Sequence, residues 1–395
     1  MVCLNLPPHL RYLPENVYLV GVIPGPNKPS IEQINHFLRP LVQELLIFWD
    51  TGMFFSRTVK YTAGRLVRCI LLPLVCDLPA ARQTAGFGGH RARYFCSMCK
   101  LSSADINCLD VDQWELRTCE EHKAAARAWR DQPSEAARTA AFKTNSIRWS
   151  ELMRLPYWDP IKYTVIDSMH NHYLGLLQHH CRKIWGMDVN TAEPGLPQEP
   201  SRPAEAALAL GRRYLHTGSD QQLASWRQTM REIHEQLPLT ELPSWISPVP
   251  SNIGTTKRGK LSADQWHIFC VINLPIVLVR LWANKGAEYR KMLDNYMHLV
   301  TEVVVGSLLE MTEDAIAIYE RSALEYLKTA RELYDITLTP NQHNSIHIAS
   351  CLRLFGPLHS IRTFFSERIN YLLQRLNTNM KIGASTFNST RRSAR

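Results

Sequence analysis

Acidic side chains are scarce where the sequence is most cationic. Between residues 51 and 100 the chain holds one carboxylate, Asp77, against eight cations: Arg57, Lys60, Arg65, Arg68, Arg82, Arg91, Arg93 and Lys100. Over all 395 residues, 45 Lys and Arg outnumber 36 Asp and Glu, a net charge of +9. Such a balance permits a polyanionic partner without requiring one. Long hydrophobic runs are also lacking. The longest apolar segment, Phe269 to Trp282, is broken by Asn273, Pro275 and Arg280, and it falls short of the ~20 residues that span a bilayer. The opening MVCLNLPPHLRYLPEN carries no basic leader followed by an apolar stretch, so no secretory signal is read. Together these absences predict a soluble intracellular protein with no membrane partner. No repeat of fixed period and no long low-complexity tract is visible.

What is present is ordinary for a globular chain: 45% hydrophobic and 21% charged residues, with length for two or three domains or for one core with a large insertion. The ten cysteines do not look like a secreted disulfide framework. Cys96 and Cys99 form a CxxC, which in a reducing compartment favours metal binding or redox chemistry.

The first hundred residues read as mixed α/β. NVYLVGVIPG is β-rich and stops at a Gly-Pro turn signal. SIEQINHFLRPLVQELLIFWD places Ile31, Ile34, Phe37, Leu38, Leu41 and Leu45 at helical spacing, with Ser30 as N-cap and Pro40 as a kink point. RLVRCILLPLVCD reads as a buried strand ending at Asp77, although Pro73 admits an edge or irregular strand. From about 110 to 350 the pattern is mainly helical. Proline-rich loops at 191–203 and 237–260 flank a helical segment, 204–236, and the basic terminus NSTRRSAR reads as frayed.

Several positions carry possible chemistry. At the end of a core strand, Asp77 sits where α/β folds place ligands and metals, but nothing local argues for a metal, and before Pro79 the local reading favours a turn residue capping the next segment. Cys96 and Cys99 supply two zinc ligands, and Cys119 with His122, or His343 with His347, could complete four. Two buried, unliganded cysteines are the alternative. His343 and His347 stand at i and i+4 on one helical face, whereas Cys119 and His122 open a helix where a surface role suffices. Asp167 precedes the histidine-rich MHNHYLGLLQHH and reads as a helix cap with half-exposed histidines. Glu367 falls opposite the stripe Phe365, Ile369, Leu372, Leu373 and Leu376, which places it in solvent.

Taken together, LNLPPHLRYLPENVYLVGVIPGPNKP, ILLPLVCDLPAARQTAGFGGH, YFCSMC, LPYWDP with DSMHNHYLGLLQHH, SADQWHIFCVINLP and FFSERINYLLQRLNTNMK resemble the transposases of CACTA (En/Spm-type) DNA transposons, in particular versions from mushroom-forming basidiomycete fungi. The resemblance implies an α/β fold with a large all-α insertion: an incomplete RNase H-like (DDE transposase) core, mostly helical overall. It implies residues 1–100 as the first part of the catalytic core with the CxxC, 101–340 as a helical insertion, and 341–395 as the C-terminal helical part carrying the last acidic residue. An acidic triad would bind Mg²⁺ or Mn²⁺, because hard cations prefer oxygen ligands and two ions can stabilise both oxygens of an in-line phosphoryl transfer. Asp77 matches the second acidic residue and Glu367 the third.

The same resemblance selects the structural zinc ligands. In related recombinases of the Transib and recombination-activating type, a CxxC follows the second Asp and a His pair precedes the final Glu. Cys96, Cys99, His343 and His347 match that order, and Asp167 and His170 match a D-M-H-like motif of the CACTA family. The implied partner is DNA at transposon ends, in the nucleus, with a homo-oligomer as a further partner. Family members carry the first acidic residue upstream of the segment matching LNLPP, and Asp50 does not occupy its place. The expectation is therefore an N-terminally truncated member, without that residue and without the DNA-binding region before it, inactive alone. The alternative is a non-catalytic, zinc-stabilised DNA- or protein-binding remnant.

Overall fold

The computed structural model describes residues 1–23, 29–30, 32–187, 229, 231–246, 248–250, 253 and 261–375. The loop expected over 191–203, most of the helical segment 204–236, most of 251–260 and the basic C-terminus lie outside the described residues. Two compact units divide the chain. The first comprises Met1–Ser103, Trp114–Val165 and Ser360–Arg395; the second comprises Ala104–Gln113 and Ile166–His359.

In the first unit the periodic stretch forms helix α1, Gln33–Asp50, with Pro40 inside it. Ser30 and Gln33 bond reciprocally, backbone to side chain, at 2.7 and 3.2 Å, as a capping box does. Val42 and Leu45 of α1 pack with Ala85, Phe87, Leu152, Leu155 and Trp158 into one core cluster. Strand β1, Met53–Phe55, pairs with β2, Arg65–Val67, in an antiparallel hairpin. That hairpin is the sole sheet among the described residues, and the described chain is mostly helical.

The strands expected at 16–25 and 65–77 are therefore largely unformed. Residues Tyr18, Leu19, Val20, Val22 and Ile23 are exposed, and only Val17 makes a bridge, to Val2. Strand-forming side chains make a ladder only against a neighbouring strand, and here the neighbour is the short Met1–Val2 stretch, which supports a single bridge. Of the second run, Arg65–Val67 pairs as β2, and Leu74 makes one parallel bridge with Thr164 through a 2.7 Å bond from its N–H to the Tyr163 carbonyl. Pro73 cannot donate to a ladder, which accounts for the interruption.

Helix α2, Leu78–Ala85, follows Asp77 and ends at Gly86, whose φ of 85° is left-handed. Helices α3, Cys119–Arg130, and α4, Glu135–Asn145, are capped by Thr118 and Ser134. The helix Phe364–Gln374 has no fully buried residue. It is held by Phe365 against Tyr12, ring centroids 5.2 Å apart, while the Tyr12 hydroxyl donates to the Ser360 carbonyl at 2.7 Å.

The second unit is helical among its described residues. Helix α5, Met169–Leu177, is π-helical. Helix α6, Ala263–Trp282, runs 20 residues and is long and apolar enough to cross a membrane, which the broken apolar run alone did not suggest. Half of its most apolar window is buried, with Phe269, Cys270, Leu274 and Leu278 inside the unit, as a core helix would be. Helix α7, Ala287–Gly306, packs on α8, Glu313–Tyr334; α8 packs on α9, Pro340–Phe355; and α9 packs on α5.

A buried polar seam joins these helices. Tyr319, Tyr326 and Tyr334 of α8 meet His172 at 2.9 Å, His180 at 3.0 Å and the Trp185 indole N–H at 3.1 Å. Buried hydroxyls and imidazoles need such partners, and these pairs supply them. The half-exposed reading of the histidine-rich segment thus holds for His170 and His179 but not for His172 and His180, which are buried. Their partners lie far away in sequence and leave no local periodic signal.

Candidate functional site

Cys96 and Cys99 lie on a short turn in the first unit, and both are buried. The turn is pinned on both flanks: the Lys100 N–H donates to the Glu115 carbonyl at 2.8 Å and the Arg117 N–H to the Met98 carbonyl at 2.9 Å. The Arg117 side chain reinforces it, its Nε donating to the Cys96 and Cys99 carbonyls at 3.0 and 3.1 Å. The Met98 N–H donates to the Cys96 Sγ at 3.3 Å, the contact a thiolate accepts best. Neither cysteine is in a disulfide.

Without a metal, this pair is a poor place for negative charge. Its hydrogen bond with Cys96, and then burial, push the Cys99 thiol far up. Yet the surroundings are cationic. Arg82 is 2% exposed and has no hydrogen-bond partner for its Nε and Nη2, and Arg117 has none for its Nη2. Burial pulls the Arg82 guanidinium down to about 10, while Cys96 opposes that shift. A cation that displaced the thiol protons would leave two thiolates beside two guanidiniums short of partners. The donor chemistry therefore fits zinc, which binds cysteine as thiolate.

In the second unit, Thr339 opens α9 with a capping box to Gln342. One turn later, His343 and His347 point along the same face, both buried, with Nε2 atoms 3.2 Å apart. Two imidazole nitrogens bound tetrahedrally at ~2.0–2.1 Å would be roughly 3.3 Å apart, so this pair is spaced as two ligands of one ion. The helix is seated by Gly175 of α5, where a Cβ would meet the Asn341 Nδ2 at 2.6 Å, and by the Asn171 Nδ2, which donates to the Asn341 carbonyl at 2.9 Å. A buried cysteine pair and a buried histidine pair are each fit to supply two zinc ligands.

The competing pair fares differently. Cys119 is the first residue of α3 and half-buried. His122 is not on the surface: it is 1% exposed, its ring 4.4 Å from Phe87, and burial pulls its pKa down to about 3. Among the described residues these two belong to no cluster of three or more metal-ligating side chains.

Asp77 is the N-cap of α2, its Oδ1 accepting the Ala80 N–H at 2.8 Å. The capping reading is therefore correct as local structure, and it leaves the second carboxylate oxygen for another role. Glu367 stands exposed in the first turn of the Phe364–Gln374 helix, where periodicity placed it. Among the described residues, neither carboxylate joins a cluster of three or more ligating side chains. Asp167 also caps its helix, accepting the His170 N–H at 3.0 Å, and its Oδ2 lies 2.6 Å from the His170 Nδ1. That contact fixes the orientation of a partly exposed imidazole.

Sequence reading missed Arg82 and Arg117. Nothing local distinguishes them from the other cations of a basic stretch, since their role depends on burial beside the cysteines. No curated protein matches the chain. Residues 1–133, which carry Asp77, Cys96 and Cys99, match the family model described as Transposase family tnp2, and that match supports a transposase family.

Proposed function

We propose that this chain is a transposase-derived protein of the CACTA (En/Spm) type that acts on DNA in the nucleus, with a zinc-stabilised scaffold and an RNase H-like catalytic core. The carrying observation is the family match over residues 1–133. A transposase family implies DNA as partner and use of a divalent metal. In support of a core interrupted by an insertion, the first unit is drawn from separate stretches of the chain, Met1–Ser103, Trp114–Val165 and the segment from Ser360 on, while 166–359 belongs to the second.

In this reading Cys96, Cys99, His343 and His347 hold one structural zinc, each pair buried and preset on its own element. Asp77 and Glu367 are the carboxylates for divalent cations, Mg²⁺ or Mn²⁺. When bound, such cations stabilise the attacking and leaving oxygens of a phosphoryl transfer. The chain's own contribution is to fix the Asp77 carboxylate at the head of α2 through its bond to Ala80. Glu367 is presented from a helix that Tyr12 and Phe365 hold in place.

Asp77 and Glu367 are the two members of the family's acidic triad assigned in this reading, and a non-catalytic zinc-stabilised remnant is the second reading. Plasmid nicking separates the two. Fused behind a segment supplying the first acidic residue, the chain nicks supercoiled DNA with Mg²⁺ or Mn²⁺, and Asp77→Asn in the same fusion does not. A fusion that never nicks leaves the remnant reading, and full nicking by Asp77→Asn removes Asp77 from the site.

A further inference from the structure

The β1–β2 hairpin exposes what a hairpin usually buries. Its register sets Met53 opposite Val67, Phe54 opposite Leu66 and Phe55 opposite Arg65. Successive residues face opposite sides of a strand, so Phe54 and Leu66 share one face while Met53 and Phe55 share the other. Both faces are open: Phe54 is 61% exposed, Leu66 50%, Phe55 45% and Met53 41%. Val59, in the connecting loop, is fully exposed. An isolated two-stranded hairpin is marginal in water, and a contiguous exposed apolar surface of this kind marks an interaction site.

Cations frame these aromatics. Arg57, Lys60, Arg65 and Arg68 are all exposed, and no Asp or Glu occurs between residues 51 and 76. None of the four has a carboxylate partner among the described residues. The Arg65 guanidinium lies 4.4 Å from the centre of the Tyr61 ring. Gly64, with φ of +84°, closes the loop; a Cβ there would stand 2.5 Å from the Phe54 Cζ and 2.6 Å from the Phe55 carbonyl oxygen. The presentation of the two phenylalanines thus depends on a glycine at that point.

We propose that residues 53–68 form a single-stranded DNA contact, in which Phe54 and Phe55 stack on unpaired bases while Arg57, Lys60, Arg65 and Arg68 engage phosphates. The proposal rests on the DNA reading above and deepens it by naming the form of DNA and the element that takes it. Charge selects the occupant. A second copy of this chain would bring the same cations against these, an unfavourable like-charge meeting. A closed duplex offers phosphates but keeps its base faces stacked, whereas opened bases satisfy rings and cations together.

The test is fluorescence anisotropy with the full chain on a labelled single strand and on its duplex. Phe54→Ala with Phe55→Ala weakens single-strand binding about tenfold or more, changes duplex binding little and leaves the salt slope unchanged. Phe54→Tyr with Phe55→Tyr retains single-strand binding, which separates lost stacking from a misfolded hairpin. Arg57→Gln, Lys60→Gln and Arg68→Gln together reduce the single-strand slope of log K against log salt by about 2. Parent-like single-strand binding by the alanine pair overturns the proposal, as does equal loss on both DNAs. A parent dimer that the alanine pair converts to monomer makes the hairpin a protein interface instead. If the parent binds neither DNA, the DNA reading itself fails; if the parent binds and the hairpin variants match it, only the hairpin assignment fails.

Discussion

On the buried face of α9, the Nε2 atoms of His343 and His347 lie 3.2 Å apart, one helical turn from each other. In a protein interior such a pair must share either a proton or an ion, because two lone pairs at that distance repel. A tetrahedral zinc would resolve the conflict, and zinc would also suit the cysteine turn, where the hydrogen bond with Cys96, and then burial, push the Cys99 thiol up.

Asp77 separates its two roles by substitution. Asparagine caps a helix about as well as aspartate, whereas alanine costs about 1 kcal/mol. Asp77→Asn therefore keeps the stability of the parent and Asp77→Ala loses roughly that amount in urea unfolding. Only a metal-ligand role makes both variants equally inactive in the nicking assay of the fused chain. Cleavage that tracks stability, lost with alanine and kept with asparagine, would leave Asp77 as a cap alone.

Glu302 of α7 gives the second unit a pH dependence. Its side chain is fully buried, receives the Tyr319 hydroxyl at 3.2 Å and lies 3.6 Å from the His172 Nε2. Burial raises its pKa to about 8. Between the ordinary carboxylate range and pH 8 the folded chain holds a proton that the unfolded chain releases, so stability falls as pH rises through that window. Glu302→Gln removes this fall and is more stable than the parent at pH 7 by on the order of 3 kcal/mol. Urea unfolding at pH 5 and pH 8 reads the effect, and parallel pH profiles for parent and variant would contradict it.

What the sequence disclosed depended on distance along the chain. The CxxC, the i,i+4 histidine pair, the helical stretches that lie among the described residues and the exposed Glu367 are all local patterns, and they are where the pattern put them. The strand readings at 16–25 and 65–77 went too far because composition measures willingness to pair and not the presence of a neighbour. The burial of His172 and His180 was hidden because Tyr319 and Tyr326 lie 147 and 146 residues away. Arg82 and Arg117 escaped because their burial beside the cysteines leaves no mark on the sequence around them.

Two glycines with different surroundings give a backbone test. At Gly86, φ is +85° and a Cβ would collide with the Arg148 carbonyl oxygen; at Gly89 nothing lies within 4 Å. Gly86→Ala costs at least about 1–2 kcal/mol by strain at the end of α2, and Gly89→Ala stays within about 0.5 kcal/mol. Thermal unfolding of the two variants checks the contrast, and equal effects would contradict the geometry assigned to Gly86.

The central proposal is that Cys96, Cys99, His343 and His347 hold a single zinc, and metal content by native mass spectrometry tests it most directly. The purified parent is expected to carry one zinc per chain. Cys99→Ser and His347→Ala should each lose most of it, while Cys119→Ser keeps it in full. A parent purified without zinc, or a His347→Ala variant that retains a full equivalent, would contradict the account.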